Sequence, residues 1–526
     1  MRSTLPRTPM HAAPGRPARA LALLLCLACG LVQAQSRRDP LPADVQRALA
    51  DAQVPEEALV GLVMPLHGGR RWERDADRPV QPGSTMKLVT SAVALDVLGP
   101  NLRGRTDVLR AGPLEGDVLQ GDLVLKGGAD AQLDFNALLA LLYEVRERGI
   151  REVTGNVLLD RSVFSPARLD KGLSPFDEAP EWPYNVIPDA LNLGGSLMGL
   201  EIRADGQSVT ARTMPHLEGI ELTTAFELVD GRCNGWSSGW QPALVQDDGQ
   251  RVWVELRGSF PRNCIARNAL QLVDRDRLAE LMVRTLWARL GGTLRGQVRE
   301  GVAPADATPV ARRHAAPWGE LLRPLNKQSD IALTRLLYLQ LGVGGGQRRL
   351  PDGRPAPATA APSDGPMALT TAERAEREVR QWMGERGIPV QGLVVDNGSG
   401  LSRAERLTAR QLTLLLQHAL TGPHAADLLM SLPTAGVEGT MRGRLKDGPA
   451  YGQARLKTGT LRNVVALAGV VPDAHRRPWV FVAIVNHDNA SRARPALDAL
   501  VAAVAAGQLG TAPAFGARRA VQPSSR

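Results

Sequence analysis

A serine and a lysine three residues apart stand out chemically in this chain of 526 residues. They are the first and last residues of Ser84-Thr85-Met86-Lys87. A helical pattern begins at this tetrapeptide and runs to about Leu98. An offset of three puts both side chains on one helix face, so the lysine amine can reach the serine hydroxyl. A hydroxyl becomes a nucleophile when a base takes its proton, and a desolvated lysine can be that base. The pair predicts a nucleophile with its base, although S-x-x-K taken alone is better explained by a solvated helix start.

Lysine usage makes the pair more informative. Of the 63 lysine and arginine residues only six are lysines, so a plain positive charge in this chain is usually an arginine. Arginine cannot serve as a base because its guanidinium stays protonated, whereas a lysine amine can be tuned. Another of the six opens Lys457-Thr458-Gly459 in a strand pattern. These residues could bind a substrate carboxylate and admit the substrate backbone, but an edge-strand lysine that blocks strand pairing is an equal alternative.

Three short motifs occur in a characteristic order: S-x-x-K early, Ser329-Asp330-Ile331 in a helical segment, and K-T-G late. This is the order of the serine penicillin-recognising enzymes. The chain resembles one branch of them, the D-alanyl-D-alanine carboxypeptidases/endopeptidases of the penicillin-binding protein 4 type, peptidase family S13. The resemblance covers nearly the whole mature chain. It also rests on residues 121–128 (GDLVLKGG), 184–191 (YNVIPDAL), 396–402 (DNGSGLS) and 432–440 (LPTAGVEGT).

The resemblance implies an α+β fold built on a serine β-lactamase/penicillin-binding-protein-like domain, in which helices flank an antiparallel sheet. Short β-like runs between Gly and Asp turns indicate that a large β-rich insert interrupts this domain. We therefore assign residues 35–101 and 304–506 to a discontinuous penicillin-binding catalytic domain. Residues 102–303 form the inserted β-rich domain or domains.

The resemblance also implies roles for particular residues. Ser84 is the acylated nucleophile, Lys87 its general base, and Ser329 the relay of the proton towards the leaving amine. The backbone N–H groups of Ser84 and Thr460 would form the oxyanion hole, and Lys457, Thr458 and Ser399 would hold the terminal carboxylate of D-Ala. The full set of substrate-binding residues is Lys457, Thr458, Gly459, Thr460 and Ser399.

The implied reaction is acyl transfer with water as second acceptor, on peptidoglycan stem peptides that end in D-Ala-D-Ala or are cross-linked through D-Ala. It needs no metal or other cofactor, and β-lactams would be covalent inhibitors. The sequence departs from the family at Ile331, where S-x-N should end in Asn, which puts the full catalytic rate in question. A weakly active wall-binding or scaffolding homologue is therefore one alternative. A β-lactamase is another, although the large insert and the lack of an evident deacylating Glu argue against it.

The first 34 residues predict an exported protein. A basic segment without acidic residues precedes the apolar run from Ala20 to Val32, and cleavage is expected near Ala34, which places the mature protein in the periplasm. No other segment is long and apolar enough to cross a membrane. The net charge of +9 includes four arginines of this leader, and no basic stretch alternates with aromatics, so nucleic-acid binding is not expected. The sequence leaves the oligomeric state open.

Cysteines and one further serine motif lie in the predicted insert. Two of the four cysteines leave with the leader, and Cys233 with Cys264 is expected to form a disulfide in an oxidising compartment. Gly235-Trp-Ser-Ser-Gly239 formally matches the G-x-S-x-G elbow, which requires a strand before it and a helix after it. Neither neighbour fits, so we predict Ser237 to be a loop serine.

Secondary elements must hold the three motifs together. We predict one helix over Trp318–Leu341 that carries Ser329, one strand over Leu456–Val471 that carries K-T-G, and a following strand over Trp479–Asn486. A loop is predicted from Gly342 to Pro366 and a disordered tail over residues 507–526. Further helices are predicted at Leu41–Ala52, Leu133–Glu147, Ala372–Arg386, Thr408–Leu420 and Arg494–Ala505.

Overall fold

The computed structural model describes residues 37–343 and 369–509. The predicted leader, most of the loop predicted after Gly342, and the tail beyond residue 509 lie outside the described residues. The α-helices within it are α1 (Ala43–Asp51), α2 (Lys87–Val97), α3 (Phe135–Glu147), α4 (Arg275–Arg289), α5 (Trp318–Lys327), α6 (Ile331–Val343), α7 (Thr371–Glu385), α8 (Ala409–Thr421), α9 (Ala425–Ser431) and α10 (Arg494–Ala505). The strands are β1 (Leu59–Pro65), β2 (Trp72–Arg74), β3 (Arg103–Ala111), β4 (Leu114–Glu115), β5 (Val118–Leu119), β6 (Asp122–Gly128), β7 (Glu152–Val153), β8 (Val157–Asp160), β9 (Met198–Ala204), β10 (Val209–Thr213), β11 (Ile220–Val229), β12 (Trp240–Asp247), β13 (Val252–Pro261), β14 (Ile265–Leu270), β15 (Thr293–Leu294), β16 (Val298–Glu300), β17 (Thr308–Pro317), β18 (Arg455–Leu461), β19 (Val464–Pro472) and β20 (Pro478–Asn486).

A five-stranded antiparallel sheet, in the order β18-β19-β20-β1-β2, organises the catalytic part. Its central strands are apolar on both faces. Successive side chains point to opposite sides of a strand, so alternate residues belong to the hydrophobic cores on the two sides of the sheet. In β20, Val480, Val482 and Ile484 pack with α2 and α5 to α9, while Phe481 and Val485 pack with α1 and α10. Helices thus cover both faces, and the expected α+β fold with an antiparallel sheet between helices is confirmed.

The chain between α2 and α5 is rich in strands and has a core of its own. That core draws on β3 to β17 and on helices α3 and α4, with Leu142, Val254 and Leu286 among its fully buried residues. Its largest sheet runs β16-β8-β6-β3-β17, so the last strand of this region pairs with the first. The assignment of residues 102–303 to inserted domains stays a prediction, and β17 lies just beyond that range.

The single helix predicted over Trp318–Leu341 is wrong. The chain forms α5 and α6 with a break at Gln328, Ser329 and Asp330, where Ser329 has φ +61°. Asp330 stabilises the break because its side chain accepts a hydrogen bond from the Leu333 N–H at 2.9 Å, which caps the start of α6. Five polar residues, 326–330, separate the apolar residues of α5 from those of α6, and the backbone leaves the helical path at Ser329.

The single strand predicted over Leu456–Val471 is also wrong. It is a hairpin of β18 and β19, with the turn at Arg462 and Asn463. The turn consists of only two polar residues, Arg462 and Asn463, so it interrupts the sequence pattern very briefly. As a result K-T-G lies on the edge strand of the sheet, and β19 is buried behind it.

The disulfide prediction is confirmed: Cys233 and Cys264 are bonded in the strand-rich chain between α2 and α5, with their Cα atoms 5.3 Å apart. Residues Cys233–Gly239 form a short 3₁₀ segment, so the G-x-S-x-G match does not occupy a strand-to-helix elbow, and Ser237 is exposed. In the described part of the chain, no helix is both long and apolar enough to span a membrane.

Candidate active site

Ser84 lies in the 3₁₀ turn Gly83–Met86 that leads directly into α2. The turn begins at Gly83, whose φ of +53° favours glycine. Gln81, two residues before Gly83, is fixed at the end of β20, because Gln81 and Asn486 exchange two hydrogen bonds of 2.8 and 2.9 Å. Ser84 itself is partly buried, so this hydrogen-bonded turn holds its hydroxyl near the protein surface.

Lys87 is the first residue of α2 and is fully buried. Its Nζ lies 3.3 Å from the Ser84 Oγ and also donates to the backbone carbonyl of Ser399. Burial lowers the pKa of Lys87 to about 7, and the negative charge of Glu405 acts in the opposite direction. Near neutral pH a substantial fraction of an amine with this pKa is unprotonated and can accept a proton.

The segment 396–402 packs against the turn that carries Ser84. The Thr90 hydroxyl on α2 donates to the Gly398 carbonyl at 2.7 Å. A Cβ atom on Gly400 would lie 2.0 Å from the Gly83 carbonyl oxygen, so only glycine allows this contact. The DNGSGLS sequence is therefore explained by its close approach to the turn of Ser84 and to Lys87.

Ser329 is brought to the site by the break between α5 and α6. The Lys457 Nζ donates to the Ser329 Oγ at 2.8 Å and to the Thr458 carbonyl at 2.9 Å. Lys457 is fully buried, and burial together with the positive charge of Lys87 holds its pKa well below the usual lysine value. The site thus contains two buried amines, each within hydrogen-bonding distance of a serine hydroxyl.

Gly459 and Thr460 bring β18 alongside the nucleophile turn. A Cβ atom on Gly459 would lie 2.7 Å from the Pro82 carbonyl oxygen and 3.2 Å from the Ser84 nitrogen. The Thr460 nitrogen would be 3.3 Å from a Cβ on Gly83, and Thr460 itself is exposed. The backbone N–H groups of Ser84 and Thr460 are therefore neighbours.

Two predicted residues occupy positions that the sequence did not anticipate. Ser399 is fully buried, and its hydroxyl donates to Asn397 Oδ1 at 2.5 Å while accepting from the Leu401 N–H at 3.3 Å. Its backbone carbonyl, not its hydroxyl, contacts Lys87. Ile331 is the first residue of α6, two residues beyond Ser329, and is partly buried.

Several residues that support the site were missed by sequence reasoning. Asn326 is fully buried and donates to Ser91 on α2 at 3.1 Å and to Ser431 on α9 at 2.9 Å, which joins three helices behind the site. The Thr458 hydroxyl donates to the Thr440 Oγ1 at 2.9 Å. Two of the missed residues carried a signal: Thr440 ends the family-like segment 432–440, and Arg335 is a lone charge in the apolar run of α6.

Arg335 connects α6 to the insert. Its guanidinium donates to the carbonyls of Val186 at 2.8 Å and Asn185 at 3.3 Å, and burial lowers its pKa. A cavity of about 550 Å³ opens beside this contact, between an insert loop around Phe176 and the segment that ends at Arg403. One wall of this cavity is therefore formed by residues 169–188, in the strand-rich chain between α2 and α5.

An antiparallel sheet between helices, a serine–lysine pair at a helix start and a K-T-G edge strand define the class of serine penicillin-recognising enzymes. The model of the D-Ala-D-Ala carboxypeptidase 3 (S13) family matches residues 41–350 and 363–506, and the chain belongs to this family. Its activity is accordingly that of a serine-type D-Ala-D-Ala carboxypeptidase, as the resemblance implied.

Individual relatives agree with this assignment. The D-alanyl-D-alanine carboxypeptidase of Actinomadura sp. (strain R39) is 29% identical over 452 residues, which cover 83% of this chain and 79% of the relative. The D-alanyl-D-alanine carboxypeptidase DacB of Haemophilus influenzae is 24% identical over 413 residues, or 77% of this chain and 80% of the relative. The crystal structure of penicillin binding protein 4 (dacB) from H. influenzae shares the fold with a TM-score of 0.67 and 22% identity, covering 85% of this chain and 94% of that one.

Proposed function

We propose that the chain is exported and trims peptidoglycan stem peptides through an acyl-enzyme on Ser84, and that penicillins inhibit it by forming the same ester. The observation that carries the proposal is the 3.3 Å contact between the Ser84 Oγ and the buried, unusually acidic Lys87 amine. A serine hydroxyl needs such a base beside it to react with an amide or a β-lactam near neutral pH.

In the proposed acylation step Lys87 takes the proton of the Ser84 hydroxyl as Oγ attacks the carbonyl carbon of the penultimate D-Ala. The negative charge on the carbonyl oxygen is stabilised by the backbone N–H groups of Ser84 and Thr460. Ser329 then relays this proton from Lys87 to the nitrogen of the leaving D-Ala, and the C–N bond breaks. Water attacks the resulting ester in the second step and regenerates Ser84.

The carboxylate of the terminal D-Ala is proposed to bind Lys457 and Thr458. Two buried amines disfavour each other's positive charge, and a carboxylate beside Lys457 stabilises the charge there. A charged Lys457 in turn keeps Lys87 neutral, so substrate binding prepares the base. For Ser399 the same carboxylate-binding role requires its hydroxyl to leave Asn397 when substrate arrives.

A fluorescent penicillin tests the proposal. We expect one stable covalent adduct on Ser84, none on Ser84→Ala, and an unchanged adduct on Ser237→Ala, which alters the exposed serine of the G-x-S-x-G match. The melting temperature of Ser84→Ala should stay close to that of the wild type. An unlabelled wild-type protein would instead favour a scaffolding homologue, and an adduct that turns over rapidly would favour a β-lactamase.

Export is supported by the Cys233–Cys264 disulfide, because such bonds form and persist in oxidising compartments. We propose the periplasm as the location. The N-terminal sequence of protein recovered from a periplasmic fraction should begin close after Ala34. Recovery of the full-length chain from the cytoplasm alone would contradict the proposal.

A further inference from the structure

Glu405 is a buried carboxylate that closely follows residues 396–402, the segment that contacts the turn of Ser84. This segment is flanked by Val394 and Arg406, which pair as an antiparallel bridge. The next residue, Leu407, pairs with Val80, shortly before Ser84 in the chain. Glu405, directly before these two paired residues, is fully buried, so its side chain points into the protein and not to solvent.

A continuous chain of hydrogen bonds leads from Glu405 to the nucleophile. Its Oε1 accepts from the Asn397 N–H at 3.3 Å, and Asn397 Oδ1 accepts from the Ser399 N–H at 3.1 Å and from its hydroxyl at 2.5 Å. The Ser399 carbonyl accepts from the Lys87 amine, which reaches the Ser84 Oγ. The position of the carbonyl that orients Lys87 is thus fixed, through Asn397, by Glu405.

The charged and titratable groups around Glu405 come from three elements. Lys87 acts on it from α2, Arg335 and Tyr338 from α6, and Asp396 from its own segment. The second carboxylate oxygen, Oε2, is buried without a hydrogen-bond partner among the described residues. Burial first, and the like charge of Asp396 second, raise the pKa of Glu405 to about 7.

We infer that Glu405 is a positioning residue of this site, which holds the Asn397–Ser399 turn against Lys87 and whose negative charge favours the protonated form of that amine. The inference rests on the proposed function, in which the neutral Lys87 amine is the base of Ser84. Since a negative neighbour keeps the amine protonated to higher pH, Glu405 sets the pH at which the base becomes available.

Glu405→Gln separates charge from hydrogen bonding, because the amide oxygen can still accept from Asn397. Loss of the ionised carboxylate removes an interaction that favours the protonated amine of Lys87, so the acidic limb of the acylation rate should move to lower pH. Glu405→Asp keeps the charge and shortens the reach; it should leave the limb in place and lower the plateau rate. Glu144→Gln, on the surface of the insert, is the matched control and should change neither.

The measurement is the rate of penicillin acylation from pH 5 to pH 9, with the melting temperature of each variant as a check on folding. A Glu405→Gln protein that is labelled with the wild-type pH profile overturns the inference, as does a shift of equal size in Glu405→Asp. A wild-type protein without any label on Ser84 would contradict the proposed function instead, so the two failures are distinguishable. If Glu405→Gln does not fold, the plateau and limb of Glu405→Asp decide the question.

Discussion

The amine of Lys457 donates to the hydroxyl oxygen of Ser329 across 2.8 Å, which joins the edge strand of the sheet to the break between α5 and α6. Ser329 can make this contact because its left-handed backbone, φ +61°, takes it off the helical path. A serine on the face of a continuous helix would be oriented by that helix. Here the orientation depends on the break and on the Asp330 cap behind it.

The pH dependence of acylation should follow Lys87. Its pKa is lowered to about 7 and the neutral amine is the proposed base, so the rate should rise as the pH increases through about 7 and then level off. Lys87→Arg retains the charge but cannot release a proton in this range, and it should lower the acylation rate by about 10²–10⁴-fold. The exposed Lys446→Arg is the control. A normal rate in Lys87→Arg would show that another group is the base.

Replacement of Gly459 should disturb the nucleophile without touching a polar side chain. The methyl group of Gly459→Ala meets backbone atoms at 2.7 Å and 3.2 Å, so β18 and the turn of Ser84 must separate. Displacement of about 1 Å costs on the order of 10²-fold in rate. Gly443→Ala, where no atom lies within 4 Å of the added carbon, is the matched control. Equal acylation rates for both variants would mean that the close approach has no catalytic importance.

Ile331 departs from the family motif, and we predict that an asparagine at this position raises the activity. An asparagine there would supply a donor and an acceptor beside Ser329, which isoleucine cannot. We expect Ile331→Asn to raise the rate of acylation by penicillin by roughly tenfold, with a smaller effect on stability. Stopped-flow acylation is the measurement, and Val343→Asn at the exposed end of the same helix is the control. If Ile331→Asn and the wild type react equally fast, the isoleucine is fully tolerated.

Reduction of the Cys233–Cys264 disulfide should affect stability more than catalysis. The two cysteines are 31 residues apart in the insert, and closing such a loop contributes about 3–4 kcal/mol in the chain-entropy model. The free energy of unfolding should fall by about that amount in a reductant, while the folded fraction keeps its acylation rate. Denaturant titrations with and without reductant test this. If the free energy of unfolding and the acylation rate of the folded fraction both fell, the disulfide would also affect the active site.

The motifs allowed the fold and the reactive pairs to be predicted because their residue types are unusual for this chain. Lysine is rare, and both Lys87 and Lys457 are fully buried next to a serine. The break at Ser329 carried a signal that the single-helix prediction overlooked, because residues 326–330 are all polar and Ser-Asp is typical of a new helix start. The turn between β18 and β19 was marked only by Arg462 and Asn463, and a turn of two residues is easily taken as part of one strand.

Supporting residues were harder to predict because their roles depend on burial. Glu405 lies in the polar run of residues 402–406 and resembles a solvated glutamate until the fold encloses it. Asn326 likewise precedes Lys327 at the end of an amphipathic helix. Local composition reports what a residue can do chemically, but whether water reaches it is decided by segments hundreds of positions away.

The pairing of Gln81 with Asn486, 405 residues apart, has a consequence for how the protein matures. The ribosome delivers Ser84 and Lys87 early and β20 near the end, yet β1 can join its sheet only when β20 is present. Long-range pairings of this kind close late in folding. A chain truncated before residue 478 would contain every sequence motif discussed above and still lack the strand against which the nucleophile segment is fixed. Such a fragment should carry its serine as an ordinary alcohol, so reactivity is acquired only on completion of synthesis.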